Sequence, residues 1–367
     1  MTLPLYRLPK GMTPMPGDSG HRGLWYDKFC DQWRYERSPG SGRGNWSLKS
    51  DGSGSPKLKW ISQFEGAVGS KELLEAYANR LADLIEARGG KWVIATARSR
   101  FVTGLGRSHP VENGFAWHPT LGTPYLAGSS LKGLTHAWAL GEFPRHEVEE
   151  VLGTAGSVGK VGFLDAVPVA PVELEADVLT PHYANWTEQE PPGDWRSPSP
   201  VPFLVAARGL PMIFGVVPTC SVGRQDVARV FEWMTSALDS AGAGAKTAIG
   251  YGQFTVDEEH PFAARRREAR RQREAQATPT GRWRQRLAGC TEEELLSAVR
   301  EHLIENPLSD PDERRAFVQV IVETGKVASW RRGEKTEART GTGGRKLRER
   351  GNAVRAAAED FGIELPQ

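Results

Sequence analysis

The residues best suited to chemistry in this chain are Gly128-Ser129-Ser130-Leu131-Lys132-Gly133, reached through Pro124-Tyr125-Leu126-Ala127. A strand-like run ends in glycine, a serine pair opens a helix, and a lysine falls in its first turn. Free backbone N–H groups, two hydroxyls and one ammonium converge there, which suits phosphate binding. A second glycine-rich stretch follows, Gly242-Ala243-Gly244-Ala245-Lys246-Thr247-Ala248-Ile249-Gly250-Tyr251-Gly252.

Other chemistries fit these residues less well. Lys246-Thr247 resembles the end of a P-loop, but Ser240 and Ala245 occupy two required glycine positions. Gly159-Lys160 is followed by Val161, with Thr154 at the first glycine position. Ser129-Ser130-Leu131-Lys132 satisfies Ser-x-x-Lys, yet acyl transfer needs Ser-Asp-Asn and Lys-Thr-Gly as well, and neither occurs. His109, His118, His136 and His182 surround the first motif. Their spacing pairs none of them for acid–base cleavage of RNA, and each reads as a packing or surface histidine. Asp165, in Phe-Leu-Asp-Ala, reads as a cap or turn former rather than a nuclease carboxylate.

The composition sets outer limits. Cys30, Cys220 and Cys290 are odd in number and far apart. They indicate neither a disulfide framework nor a zinc site, and fit a reducing compartment. The first residues, MTLPLYRLPKGM, hold no apolar signal core, and no 18-residue apolar run occurs. The expectation is a soluble cytoplasmic protein with no metal, no cofactor and no membrane partner. Net charge is only +2, but two basic blocks stand out. Residues 261–286 hold nine arginines and two glutamates; residues 325–350 hold nine Lys/Arg and three glutamates. Such blocks attract polyanions, unless they are simply solvated helix faces.

Elements must position the glycine motifs. Residues 1–20 read as irregular and 36–56 as a flexible loop, with Trp25, Trp33, Trp46 and Trp60 in or beside it packing on the main domain. Ser70 caps a helix over Lys71–Ala87 that stops at Gly89-Gly90, with Leu73, Leu74, Tyr77, Leu81, Leu84 and Ile85 as its apolar stripe. Residues 92–102 alternate as a strand, Val93, Ala95, Ala97, Ser99 and Phe101 on one face and Trp92, Ile94, Thr96, Arg98 and Arg100 on the other. A helix follows over 128–140, then strands over 161–167, 203–206 and 211–217, a helix over 224–238 with Val227, Val230, Phe231 and Met234 inward, and a glycine-broken strand over 248–256. This is an α+β pattern. Beyond Pro261 only helices are expected: 261–277, 291–303 with a Thr291/Glu294 capping box, 312–324 and 346–361, with a flexible turn at 340–344.

The two glycine motifs resemble the hallmarks of the RAMP superfamily, the RNA-binding proteins of CRISPR effector complexes. Further segments resemble one branch of it, the sixth subunits of the Cmr (type III-B) complex: Gly23-Leu24-Trp25-Tyr26-Asp27-Lys28-Phe29, Phe163-Leu164-Asp165-Ala166-Val167-Pro168, Asp177–Tyr183 and Pro198–Leu204. His136 and Ala127 stand where RAMP motifs often carry arginine and proline. The resemblance spans roughly residues 21–257 and implies a ferredoxin-like, RRM-related fold with insertions.

Three regions follow: 1–90 packed on the main domain, a RAMP domain over 91–257, and a basic helical extension over 258–367. The resemblance also implies a non-catalytic subunit that binds guide RNA near its 3′ end and caps the filament of backbone subunits in antiviral defence. Its partners would be the guide RNA with its target RNA duplex and other Cmr subunits, including the repeated backbone RAMP subunit. The RNA ligands implied are Gly128, Ser129, Ser130, Lys132, Gly133, Arg107, Gly244, Lys246, Gly250 and Gly252, reading phosphates rather than bases. A RAMP endoribonuclease that processes precursor guide RNA, or a pure assembly subunit, are the competing readings.

Overall fold

Alternation along β1, Lys91–Ala97, organises the first half of the molecule. Val93, Ala95 and Ala97 pack into one hydrophobic core and Ile94 into another, so this strand is covered on both faces. The structure is a computed structural model and describes residues 20–37, 44–48, 54–180, 200–333 and 344–365. The chain divides into two units, Met1–Ala263 and Ala264–Gln367.

Six elements make the frame of the first unit. After β1 come α1 (Gly128–Glu142), β2 (Val161–Phe163), β3 (Pro211–Pro218), α2 (Val227–Ser240) and β4 (Phe254–Val256). The sheet order is β4-β1-β3-β2 and each neighbouring pair is antiparallel. That is the ferredoxin-like βαββαβ arrangement. A hairpin of Val172–Leu179 and Val201–Ala206 is inserted between β2 and β3, and Gly66–Val68 extends it into a second sheet. A bridge between Phe101 and Ala206 ties this sheet to the exit of β1. Leu131 and Ala139 of α1, with Val230, Met234 and Leu238 of α2, bury against the Ala95 side of the sheet.

The other face is covered by the helix Lys71–Ala87, whose cap is the expected one: Ser70 Oγ accepts the Leu73 N–H at 3.3 Å. The stripe is not the expected one. Leu74, Ala78, Ala82 and Ile85 are buried, whereas Leu73 and Leu84 remain 43% and 49% exposed. The helix lies too close to the sheet for bulkier residues. A Cβ at Gly215 of β3 would collide with Ile85 Cδ1.

Other differences have local causes. The strand expected over 161–167 breaks after Phe163, because Ala166 exchanges two backbone hydrogen bonds with Leu126, at 2.8 and 3.0 Å. The strand expected over 248–256 shrinks to Phe254–Val256; Thr247–Ile249 is a 3₁₀ turn instead. In and beside the span 36–56 read as a loop, Arg34–Arg37 pairs with Gly44–Ser47, and at its end Pro56–Ile61 is a helix capped by Ser55. Trp60 is buried at 1% exposure, Trp25 stacks on Phe29 at 4.4 Å, and Trp46 meets Tyr35 edge-on. Residues 1–19, most of the turn expected at 340–344, His182 and parts of the Asp177–Tyr183 and Pro198–Leu204 motifs lie outside the described residues.

The second unit is helical. Pro279–Leu287, Glu292–Val299 with its π-turn continuation Arg300–Glu305, Pro311–Glu323, Val327–Arg332 and Gly344–Asp360 enclose Trp283, Phe317, Trp330 and Val354. The Thr291/Glu294 capping box forms as expected. Trp330 Nε1 donates to the buried Glu292 carboxylate at 2.7 Å. Pro279–Leu287 and Val327–Arg332 escaped the periodicity because each is too short to repeat an apolar face. The Arg-rich helix Pro261–Ala277 forms over the expected range; its first three residues belong to the first unit, within which Phe262 packs edge-on against Trp92.

Candidate nucleic-acid interface

The Gly128 motif is helical from its first residue. Ala127 offers no side-chain cap; Asp165 does so from a distant segment, its Oδ1 accepting the Gly128 N–H at 2.7 Å. Ser130 and Leu131 both donate to the Ala127 carbonyl, at 2.9 and 3.0 Å. Gly128 itself is buried, and a Cβ there would collide with the Phe163 carbonyl. Gly128 therefore contributes close packing rather than its own N–H. Ser129, Ser130 and Gly133 are exposed and Lys132 is half-buried on the same turn and a half. Among the described residues Lys132 has no hydrogen-bond or ion-pair partner.

Arg107 comes to the same neighbourhood. It is exposed, and its guanidinium donates to the Tyr125 hydroxyl at 3.3 Å, three residues before Gly128. The loop carrying it turns tightly at Gly104 (φ 78°), where a side chain would strike Ala116.

The second glycine stretch is a compact left-handed turn. Gly242, Gly244, Lys246, Gly250 and Gly252 all have positive φ, and Lys246 at 61° is one of two non-glycine residues that do among the described residues. The Gly252 N–H donates to the Arg100 carbonyl and its own carbonyl accepts from Ala243, each at 2.7 Å. Gly252 is buried, whereas Gly244 and Gly250 are exposed. Gly250 donates to the Thr247 carbonyl at 3.0 Å. Among the described residues the N–H groups of Ser129, Gly244, Lys246, Thr247 and Ala248 have no acceptor. Successive outward N–H groups at a left-handed turn form an anion-accepting concavity.

Lys246 Nζ lies 5.3 Å over the Phe203 ring. Both line a shallow pocket of about 360 Å³ with Asn113, Leu179, Thr180 and Val201. Arg100 braces this region, its guanidinium bonding Glu175 at 2.8 Å and Asp177 at 3.0 Å. Tyr251 donates to the same Asp177 carboxylate at 2.6 Å. Burial, reinforced by that carboxylate, pushes the Tyr251 hydroxyl up to about 12, so it remains a donor at neutral pH.

Residues 94–255 match the model of the RAMP superfamily, a span that starts inside β1 and ends inside β4. The frame is a RAMP-superfamily domain. In sequence the chain is similar to CRISPR system Cmr subunit Cmr6 of Pyrococcus furiosus, at 25% identity over 50% of this chain and 73% of that protein. Among solved structures, the crystal structure of Cmr6 from Pyrococcus furiosus gives a TM-score of 0.32 at 23% identity, covering 46% of this chain and 97% of that one. A cryo-EM structure of the type III-B Cmr-beta complex bound to cognate target RNA gives 0.46 at 24% identity, covering 55% and 71%.

Two histidines of this RAMP domain, His109 and His118, are built into turns, whereas His136 lies on the Gly128–Glu142 helix. His109 Nδ1 accepts the Val111 N–H at 3.2 Å, and its Nε2 lies 3.1 Å from the Tyr26 carbonyl. Burial pulls it down to about 4, outweighing the hydrogen bond to the Tyr26 carbonyl, and the Lys28 charge acts in the same direction as burial. His118 Nδ1 accepts N–H groups of Thr120 and Leu121, and burial lowers its pKa too. Asp165 is the cap that its position suggested. Phe203 and Tyr125, which contact Lys246 and Arg107, carry no sequence signal for these roles, because the pairings join residues distant in sequence. Among the described residues no His, Cys, Asp or Glu cluster could hold a metal ion, and no helix is long and apolar enough to cross a membrane.

Proposed function

We propose that this RAMP protein is a non-catalytic, guide-RNA-binding subunit of a type III-B CRISPR effector, occupying the place that Cmr6 occupies in its complex. It would cap the backbone filament near the guide 3′ end, touching the guide, its duplex with target RNA and neighbouring Cmr subunits. The observation that carries the reading is the unpartnered Lys132 on the exposed Ser129-Ser130 turn, inside a span matched to the RAMP superfamily. Ser129, Ser130, Lys132 and Arg107 would hold one stretch of phosphates. Gly244, Lys246 and the N–H groups after it would hold another, with Gly250 keeping that turn open. Gly128 and Gly252 would shape the two turns by packing. Such contacts read backbone shape and leave sequence to base pairing.

The test is reconstitution with guide RNA and the partner subunits, followed by photocrosslinking. The reading expects crosslinks from residues 128–133 and 244–250 to the guide. Crosslinks confined to protein neighbours would make this an assembly subunit. Metal-independent cleavage of precursor guide RNA by the purified chain would make it a nuclease.

A further inference from the structure

Charge in the second unit is distributed unevenly. On much of its surface, arginines face carboxylates: Arg284 bonds Glu323 through two nitrogens, at 2.7 and 2.9 Å, Arg355 meets Glu359 at 3.4 Å, and Arg282–Glu313 and Arg300–Glu305 are paired likewise. One corner differs. The helices Val327–Arg332 and Gly344–Asp360 meet at Gly351, where a Cβ would lie 2.8 Å from the Arg331 nitrogen and 3.0 Å from its Cγ. Gly333 brings the same corner together from the other side, 2.9 Å from Arg348 Nε by the same measure. The packing thus brings Arg331 against a helix whose first two turns carry Arg345, Lys346, Arg348 and Arg350. Arg331, Arg345, Lys346 and Arg348 are exposed and Arg350 is half-buried. Among the described residues none of the five has an ion-pair or hydrogen-bond partner. Glu349 is the one carboxylate between Gly344 and Arg350.

This arrangement is unfavourable for folding alone. Like charges repel across the corner, and cations in the first turn oppose the helix dipole. The first turn holds no acidic residue. A polyanion laid over the corner would relieve both costs.

We propose that this corner of the second unit is an RNA-binding surface, in which Arg331, Arg345, Lys346, Arg348 and Arg350 hold the phosphate backbone of an RNA strand without reading its sequence. It lies outside the span matched to the RAMP superfamily and does not rest on the reading of the first unit. RNA is favoured over an acidic protein because the cations are dense and unpaired, and the arginines among them supply the planar fork that phosphate accepts.

The experiment uses the full chain and a mixed-sequence single-stranded RNA of about 30 nucleotides, followed by fluorescence anisotropy across a salt series. Replacing Arg345, Lys346, Arg348 and Arg350 by glutamine should weaken binding roughly tenfold or more at physiological salt and reduce the salt slope by about two to three units. Replacing the carboxylate-paired Arg282 and Arg284 by glutamine should change neither. A second variant, Arg345→Glu with Lys346→Glu, guards against misfolding. It complements the helix dipole, so its melting temperature should hold or rise while RNA affinity falls. Unchanged affinity and slope in both corner variants overturn the proposal. So does loss of binding to poly-glutamate with RNA binding intact, which would identify an acidic protein as the occupant. Lys132→Ala, measured in parallel, reports on the first unit separately.

Discussion

The Asp165 carboxylate caps the first N–H of the Gly128 helix, 2.7 Å away and 37 residues later in the chain. This contact places a negative charge at a helix start that the sequence alone offers to phosphate. The helix dipole is already answered there, so the surface that remains for a polyanion is made of the Ser129 and Ser130 hydroxyls, the Ser129 N–H and Lys132.

Asp165→Ala should therefore destabilise the protein by about 1 kcal/mol, the usual value of a lost N-cap, and Asp165→Asn by less, because the amide oxygen still accepts. Urea denaturation measures both. Equal midpoints for wild type and Asp165→Ala would show that the cap contributes nothing.

Lys132→Ala should leave the fold intact, since the ammonium has no partner among the described residues to lose. On the proposed function, guide-RNA binding should weaken, with the salt slope falling by about 0.7 for one phosphate contact to a single strand. An unaltered slope would remove Lys132 from the interface.

The glycines of the second turn should behave differently from one another. A side chain at Gly252 would collide with the Ala243 carbonyl at a φ of 69°, so Gly252→Val should fail to fold. Gly250 has a φ of 96°, and no atom lies within 4 Å of the place a Cβ would take, so Gly250→Ala should fold with a penalty of about 1 kcal/mol. Circular dichroism and thermal melting of the two variants separate these outcomes.

Stability should fall in mild acid. His109 is neutral in the fold and held down to about 4 by burial, against 6.5 for an ordinary histidine. Between those values the unfolded chain binds the extra proton, so stability rises with pH there; it is fully present above 6.5 and is lost as pH falls towards 4. Burial of His118 acts in the same direction. His109→Gln should flatten part of the decline in urea midpoint across this window; an unchanged profile would place the acid sensitivity elsewhere.

Truncation should depend on a few residues. Phe262 and Ala263 bury against Ile94 and Ile213 on the sheet face covered by the Lys71–Ala87 helix. A chain ending at Ala263 should remain folded. One ending at Val256 should be less stable by about 3–5 kcal/mol, the cost of removing a buried aromatic side chain. Thermal melts of the two chains decide this; equal melting temperatures would make Phe262 dispensable.

Some of this protein was determined by residues close together in the chain. The Ser70 cap, the Thr291/Glu294 box and the alternation along β1 are set by neighbours within one or two turns, so their sequence spacing suffices. The glycine motifs that resemble the RAMP superfamily belong to this class too, since a left-handed turn selects glycine locally. What tertiary structure decided is which of the motif's groups remain available. Asp165 answers Gly128, Arg100 and Ala243 enclose Gly252, and Ile85 against Gly215 selects which stripe of the Lys71–Ala87 helix is buried. In the second unit, pairing with Glu323 neutralises Arg284, while the meeting of two helices at Gly351 leaves Arg331 and Arg348 unanswered. A charge or an N–H is free only when no acceptor from elsewhere in the chain reaches it, and that depends on long-range packing that no local spacing records.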